Sequence, residues 1–206
     1  MKITNKNQSG MSIISMLIAT VISSLVLIST FSLFKTITKI SIEQSNSAKY
    51  EGDISEVLLL IQQEVQSAGY KSNQNNHILV EKIGGLYQIY WRYSELGGSP
   101  YTCRGLVEKL VEENNRTSIE LHFMQPSDKC TAKGNLKAMQ WDISTNIIKK
   151  FNNINKSIFS SITLKLTKCS AFMVGDNTRS HQTLNISINS SVVNVTRDMS
   201  ICLINL

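Results

Sequence analysis

An uninterrupted apolar run dominates the beginning of the chain. Residues 11–34 contain no charged side chain. At about 1.5 Å per residue, a helix of this length measures roughly 36 Å, which is enough to span a bilayer with some tilt. A secretory signal peptide has an apolar region of only about 7–15 residues followed by a small-residue cleavage site. The run is therefore predicted to be a membrane helix that the mature protein keeps.

A second apolar pattern follows at helical spacing. Residues at i, i+3, i+4, i+7 and i+11 are apolar, namely Ile54, Val57, Leu58, Ile61 and Val65. This spacing places them on one helix face, which we expect to pack on a sheet. The helix is expected to end at Ala68-Gly69, because glycine readily takes the left-handed cap conformation. One long helix is thus predicted, apolar over residues 11–34 and amphipathic over 35–70, with Gly52 as its weakest point.

Residues 71–206 show the composition of strands. Segments rich in Ile, Val, Thr and aromatic residues alternate with Gly or Asn clusters. The predicted strands are 78–83, 86–93, 118–124, 138–143, 158–167, 184–189 and 192–203, and residues 106–113 fit either a strand or a short helix. A dominant helix followed by strands indicates an α+β fold, with the helix packed on a mainly antiparallel β-sheet in a globular domain.

Hydroxyl side chains recur along the apolar run, at Ser12, Ser15, Thr20, Ser23, Ser24, Ser29, Thr30 and Ser32. Small hydroxyl residues let helices approach closely and bond to one another, which suits a helix that packs against copies or relatives of itself. They also bond back to their own backbone in an ordinary membrane anchor. Composition alone favours neither interpretation.

The residues around Gly10 resemble the type III leader of type IV prepilins. A short polar segment with Lys2 and Lys6 ends at Gly10, immediately before the apolar run. In that family a prepilin peptidase cuts after the Gly and methylates the new amino terminus. The resemblance therefore implies that residues 1–10 are a leader peptide, that the cut falls between Gly10 and Met11, and that Met11 is N-methylated.

One position departs from the family pattern. The family usually carries Glu at the fifth residue after the cut, whereas this chain has Ser15. In the family that carboxylate is thought to pair with the free amine of an adjacent subunit inside the membrane, where an unpaired charge is costly. Its absence resembles subunits that begin a fibre, which suggests a tip or priming position. A tolerated substitution in a rarely used subunit is the simpler alternative.

A second resemblance lies at residues 61–71, IQQEVQSAGYK. This segment is similar to the region that closes the helix in PilW-type minor pilins and in GspJ-type pseudopilins, with Ala68-Gly69-Tyr70 as the matching core. The resemblance spans about the first 70 residues and implies a pilin-like layout.

The four cysteines, Cys103, Cys130, Cys169 and Cys202, are widely spaced and form no CxxC pair. An even count with this spacing indicates two structural disulfides in an oxidising compartment. Three connectivities are open. We favour Cys103 with Cys130 and Cys169 with Cys202, because sequential closure needs no crossing of loops.

Candidate chemistry is sparse. The chain has no phosphate-binding glycine loop, no GxSxG and no HExxH, and His77, His122 and His181 have no neighbouring ligand at metal spacing. We therefore expect that the chain has no catalytic residue, binds no metal or cofactor and is not an enzyme. The formal net charge of +6 comes from scattered Lys and Arg residues rather than from a basic run.

A candidate binding patch comprises Tyr90 and Arg92 of the second predicted strand, with Tyr101 and Arg104 following it. Aromatic side chains interleaved with Arg can stack bases and hold phosphates. Strand alternation, however, places Tyr87, Ile89, Trp91 and Tyr93 together on one face, where they most simply form core against the helix. The core interpretation is favoured for that face, and a nucleic-acid partner is the less favoured alternative.

The resemblance implies a minor pilin that primes or caps type IV pilus assembly and thereby supports motility, adhesion or DNA uptake. The expected partners are other minor pilins, the major pilin and the processing peptidase. The expected location is the inner membrane, with one span and a periplasmic C-terminal domain, and then the fibre at the cell surface. A type II secretion pseudopilin and a DNA- or surface-binding pilin are the alternatives.

Overall fold

The computed structural model describes residues 13–70, 77–94, 100–169, 180–189, 196–203 and 205. The chain divides into two compact units, Met1–Ala48 and Lys49–Leu206. Helix α1 covers Ile13–Val65, 53 residues without a break at Gly52. It ends three residues before the predicted Ala68, because residues 66–70 form a turn in which Gly69 takes the expected left-handed conformation at a φ of 74°.

In the described part of the chain, eight strands follow the helix. They are β1 (Ile78–Ile83), β2 (Leu86–Tyr93), β3 (Thr102–Glu113), β4 (Arg116–Pro126), β5 (Trp141–Asn152), β6 (Phe159–Lys168), β7 (Ser180–Asn189) and β8 (Thr196–Leu203). The α+β class and the antiparallel pairing are therefore as predicted. The segment 106–113, left open between strand and helix, belongs to β3.

One predicted strand is displaced. Residues 138–140, expected to begin a strand, lie outside β5, and the Ala138 amide closes a turn by donating to the Asn135 carbonyl at 3.0 Å. Strand β5 begins at Trp141 and runs to Asn152, far beyond the predicted end at 143. Of the predicted strand 192–203, residues 192–195 lie outside the described residues.

The strands that the structure describes form two antiparallel sheets where the sequence predicted one. The first has the order β1-β2-β3-β4-β5, and the second has the order β6-β7-β8. Within each sheet every strand pairs with its neighbour in sequence, and bulges interrupt the β4–β5 ladder around His122. A period-2 pattern identifies a strand and its buried face but not the edge at which a sheet stops.

The main core combines one face of α1 with both sheets. Ile54, Val57 and Ile61 of the helix are each 1–2% exposed and belong to one cluster with Ile89 and Trp91 of β2. The second sheet adds further buried residues to this cluster, including Leu184, Ile186, Ile188 and Ile201. The predicted assignment of the Ile89 and Trp91 face to the core is therefore confirmed.

Candidate functional site: the exposed apolar helix

The first part of α1 carries a dense set of exposed apolar side chains. From Ile13 to Ile42 the large hydrophobic side chains are between 47% and 80% exposed. Soluble proteins rarely expose so many neighbouring apolar residues, and such a surface marks a membrane or protein contact. Among the described residues, α1 is the one helix long and apolar enough to cross a membrane, by length and composition.

The hydroxyl groups along this segment bond to the helix itself. Thr20 and Ser24 donate to carbonyl oxygens three residues earlier, and Ser29, Thr30, Thr36 and Thr38 donate to carbonyl oxygens four residues earlier, at 2.7–3.0 Å. Such bonds satisfy the hydroxyls without a partner helix. This geometry is expected of an ordinary membrane anchor. Because these side chains are small, it also permits another helix to pack closely against α1.

The predicted processing residues precede this helix in the sequence. Gly10 and Met11 lie outside the described residues. Ser15 lies in the first turn of α1 and is exposed. The apolar surface at this end therefore contains a neutral hydroxyl and no charged side chain between residues 13 and 34.

The second part of α1 is fixed to the strands by ion pairs that flank its buried stripe. Glu64 bonds to Arg104 of β3 at 2.9 Å, and Glu51 bonds to Arg197 of β8 at 3.0 Å. Lys149 of β5 lies 2.7 Å from Asp53 and 2.6 Å from Glu56. The sequence analysis missed these pairs, although acids flanking an apolar stripe are the signal that marks the rim of a packed helix face.

Two disulfides close the strand region. Cys103 bonds to Cys130 across 27 residues, and Cys169 bonds to Cys202 across 33 residues. This is the sequential pairing that the sequence analysis favoured. The first holds the segment between β4 and β5 against β3, and the second joins the end of β6 to β8.

The candidate binding patch is not one surface, which corrects its grouping in the sequence. Tyr90 and Arg92 are 5% and 2% exposed. Arg104 stands opposite Trp91 in the ladder, so it shares the helix-facing side, whereas Tyr90 and Arg92 alternate to the other side. Arg104 is also occupied by Glu64. Tyr101, the residue before β3, is half-buried, and the four residues together do not form the exposed aromatic and basic platform that base stacking requires.

Arg92 has a structural role instead. Its Nη1 donates to the carbonyl oxygens of Thr131 and Ala132 at 2.6 and 2.7 Å, and thereby holds the disulfide-closed segment. Burial lowers the pKa of its guanidinium, and the nearby Tyr101 opposes that shift. Tyr90 packs on Trp141 with ring centroids 4.9 Å apart, and burial raises the pKa of its phenol.

Two buried carboxylates also escaped the sequence analysis. Glu108 accepts hydrogen bonds from Tyr87 N, Ser157 Oγ and Ile158 N at 2.6–2.8 Å. Glu120 bonds to Lys150 at 2.8 Å and to His122 at 3.2 Å, and the bond from Lys150 holds the pKa of this carboxyl below its usual range. Among the described residues no group of three or more His, Cys, Asp or Glu side chains is arranged to hold a metal ion.

Comparisons with protein-family models, with curated proteins and with solved structures found no match.

Proposed function

We propose that this chain is a type IV pilin-like protein, a minor pilin of the PilW type that primes or caps a pilus. The observation that carries the proposal is helix α1, whose exposed apolar part and whose sheet-packed part are one continuous element from Ile13 to Val65. The Gly10-Met11 leader motif and the Ala68-Gly69-Tyr70 segment support it from the two ends of this helix.

The mechanism is packing. In the membrane the apolar side chains of residues 13–34 contact lipid, and on assembly they bury against the equivalent helices of other minor pilins and of the major pilin. Van der Waals contact between closely approaching helices drives this association. The unit Lys49–Leu206, which includes the second part of α1, then forms the outer part of the fibre subunit and keeps its own core throughout.

The decisive experiment determines the amino terminus and mass of the protein purified from cells with and without the prepilin peptidase. We expect a methylated Met11 that depends on the peptidase. Gly10→Leu should leave the leader attached, because a bulky side chain obstructs the cut, whereas the matched change Asn5→Leu should not. An intact Met1, or a cut beyond Phe34, contradicts the proposal.

The tip position has a separate test at Ser15. Immunogold labelling should find the wild-type protein at fibre ends only. Ser15→Glu supplies the carboxylate that neutralises a neighbour's amine, so it should allow labelling along the fibre, and the uncharged Ser15→Gln should not. Labelling of the wild type along the whole fibre contradicts a tip position. Co-purification of secretion-system proteins in place of pilins would favour the pseudopilin alternative.

A further inference from the structure

The five-stranded sheet carries an open cleft of about 530 Å³ at one end. It lies where the β3–β4 turn, the first residues of β4 and the last residues of β5 meet. All of its lining side chains are polar or charged. No part of the proposed assembly mechanism uses this cleft.

The backbone around the cleft is held in an unusual conformation. Asn114, Asn115 and Asn153 have φ values of 51°, 60° and 60°, in the left-handed region. Asparagine enters this region more readily than most other side chains with a Cβ. Two tight turns therefore present Asn114 and Asn153 at the cleft in a fixed arrangement.

The charges at the base of the cleft compensate one another. Lys150 Nζ lies 2.8 Å from Glu120 and 3.3 Å from Glu113. Ser118 is buried and donates to the Val111 carbonyl at 3.4 Å. Because the ammonium group already contacts two carboxylates, the base of the cleft is not an anion site.

The remaining lining groups offer unused hydrogen-bonding capacity. In the part of the chain that the structure describes, no side-chain hydrogen bond engages Asn114, Thr117, Asn152 or Asn153. Each amide supplies two donors and an acceptor, and the threonine hydroxyl supplies both functions. An apolar ligand would desolvate these groups without replacing their bonds to water, at a cost of about 1–3 kcal/mol each.

We propose that this cleft binds carbohydrate, one or two sugar rings of a glycan. Sugar hydroxyls donate and accept as hydroxyl side chains do, and therefore match amides and hydroxyls that can serve either role. The volume of about 530 Å³ is in the usual range for ligand sites. Arg116, exposed on the rim, adds a planar donor fork and gives a preference for sugars that carry a carboxylate.

The test uses the full chain in lauryldimethylamine oxide micelles, since glycoside detergents would themselves present sugars. Saturation-transfer NMR is recorded with glucose, galactose, N-acetylglucosamine, glucuronate, cellobiose and chitobiose. We expect transfer to at least one of these probes and tighter binding of glucuronate than of glucose. Absence of transfer to every probe overturns the proposal.

Matched variants locate the binding. Thr117→Val and Asn152→Ala should each weaken sugar binding about fivefold or more, because one bond to the sugar is lost. Thr163→Val, the same isosteric change at an exposed position of β6, should have no effect. Arg116→Gln should abolish the preference for glucuronate while Lys165→Gln preserves it. Tryptophan fluorescence, from buried Trp91 and partly buried Trp141, verifies that each variant folds, and one folded cleft variant is enough for the test.

Two further results would overturn the inference. Equal transfer in Thr117→Val, Asn152→Ala and the wild type would place the sugar elsewhere. Binding of inorganic phosphate or acetate at Arg116, with no sugar bound, would define a simple anion site. The inference does not rest on the pilin assignment, because the amino-terminal analysis and the sugar measurements have independent outcomes.

Discussion

Glu108 shows how a single buried charge can organise neighbouring strands. It is 2% exposed and sits on β3, where its carboxylate accepts from the backbone of β2 and from the segment before β6. Burial raises the pKa of this carboxyl, and the hydrogen bonds from Ser157, Tyr87 and Ile158 oppose the shift. The carboxylate thus links the first sheet to the beginning of the second.

We predict that Glu108→Ala lowers the free energy of unfolding by about 3 kcal/mol, because buried donors lose their acceptor. Urea unfolding of the full chain in detergent, followed by tryptophan fluorescence, measures the change. The control is Glu112→Ala, an exposed acid on the same strand, which should stay within about 0.5 kcal/mol of the wild type. A loss for Glu108→Ala no larger than that of the control would contradict the assigned role.

Substitution of glycine by alanine should change the stability in opposite directions at two positions. A Cβ on Gly105 would lie 2.8 Å from Met124 Cε and 3.2 Å from the Ile89 carbonyl oxygen, whereas a Cβ on Gly52 meets nothing within 4 Å. Gly105→Ala should therefore destabilise by about 1–3 kcal/mol through overpacking. Gly52→Ala should stabilise α1 by about 0.5–1 kcal/mol. Urea midpoints that move in the same direction for both variants would contradict this prediction.

The identity of a single residue predicted some of these local structural features but not others. The left-handed conformation at Gly69 was predictable because glycine tolerates it without steric cost. Glu108 was not, since an acid in a polar strand segment suggests a surface residue, and its three donors come from positions 21 to 50 residues away. The sequence placed Arg92 in a binding patch for the same reason, because the carbonyl oxygens that Arg92 binds are about 40 residues away along the chain.

At the scale of elements, helix α1 was the most predictable. The five residues of the predicted stripe, from Ile54 to Val65, are the residues that the structure buries in α1. This success reflects local geometry, since a period of 3.6 residues defines a face without knowledge of the partner. The ion pairs and the division into two sheets depend on which strands meet, and periodicity does not encode that.

The ion pairs between α1 and the strands contribute measurably to the free energy of unfolding. Lys149→Ala should lower the free energy of unfolding by about 1 kcal/mol at low ionic strength and by less in high salt, because the two acids lose their shared cation. Lys109→Ala, an exposed lysine on β3, is the matched control and should have no such salt-dependent effect. A double-mutant cycle that finds no coupling between Lys149 and Asp53 would contradict the pairing.

At the scale of the whole molecule, the two disulfides stabilise a domain whose strands are joined by long connecting segments. Each should contribute about 3.5 kcal/mol by restricting the unfolded chain, given loops of 27 and 33 residues. We predict that replacing both members of either pair with serine lowers the stability by this amount, measured by urea unfolding. Reductant should shift the wild type toward these variants and should not shift a chain lacking all four cysteines. A stability unchanged by reduction would contradict the prediction.

The position of the two disulfides also determines how the chain responds to a pulling force. An unfolded strand lengthens by about 3.3 Å per residue, so the segments closed by the bonds would release roughly 90 and 110 Å if they were free to extend. With the bonds intact, that length stays hidden when tension reaches the strands through α1. In the oxidised molecule these two closed segments therefore cannot extend under load, whereas reduction allows both of them to lengthen.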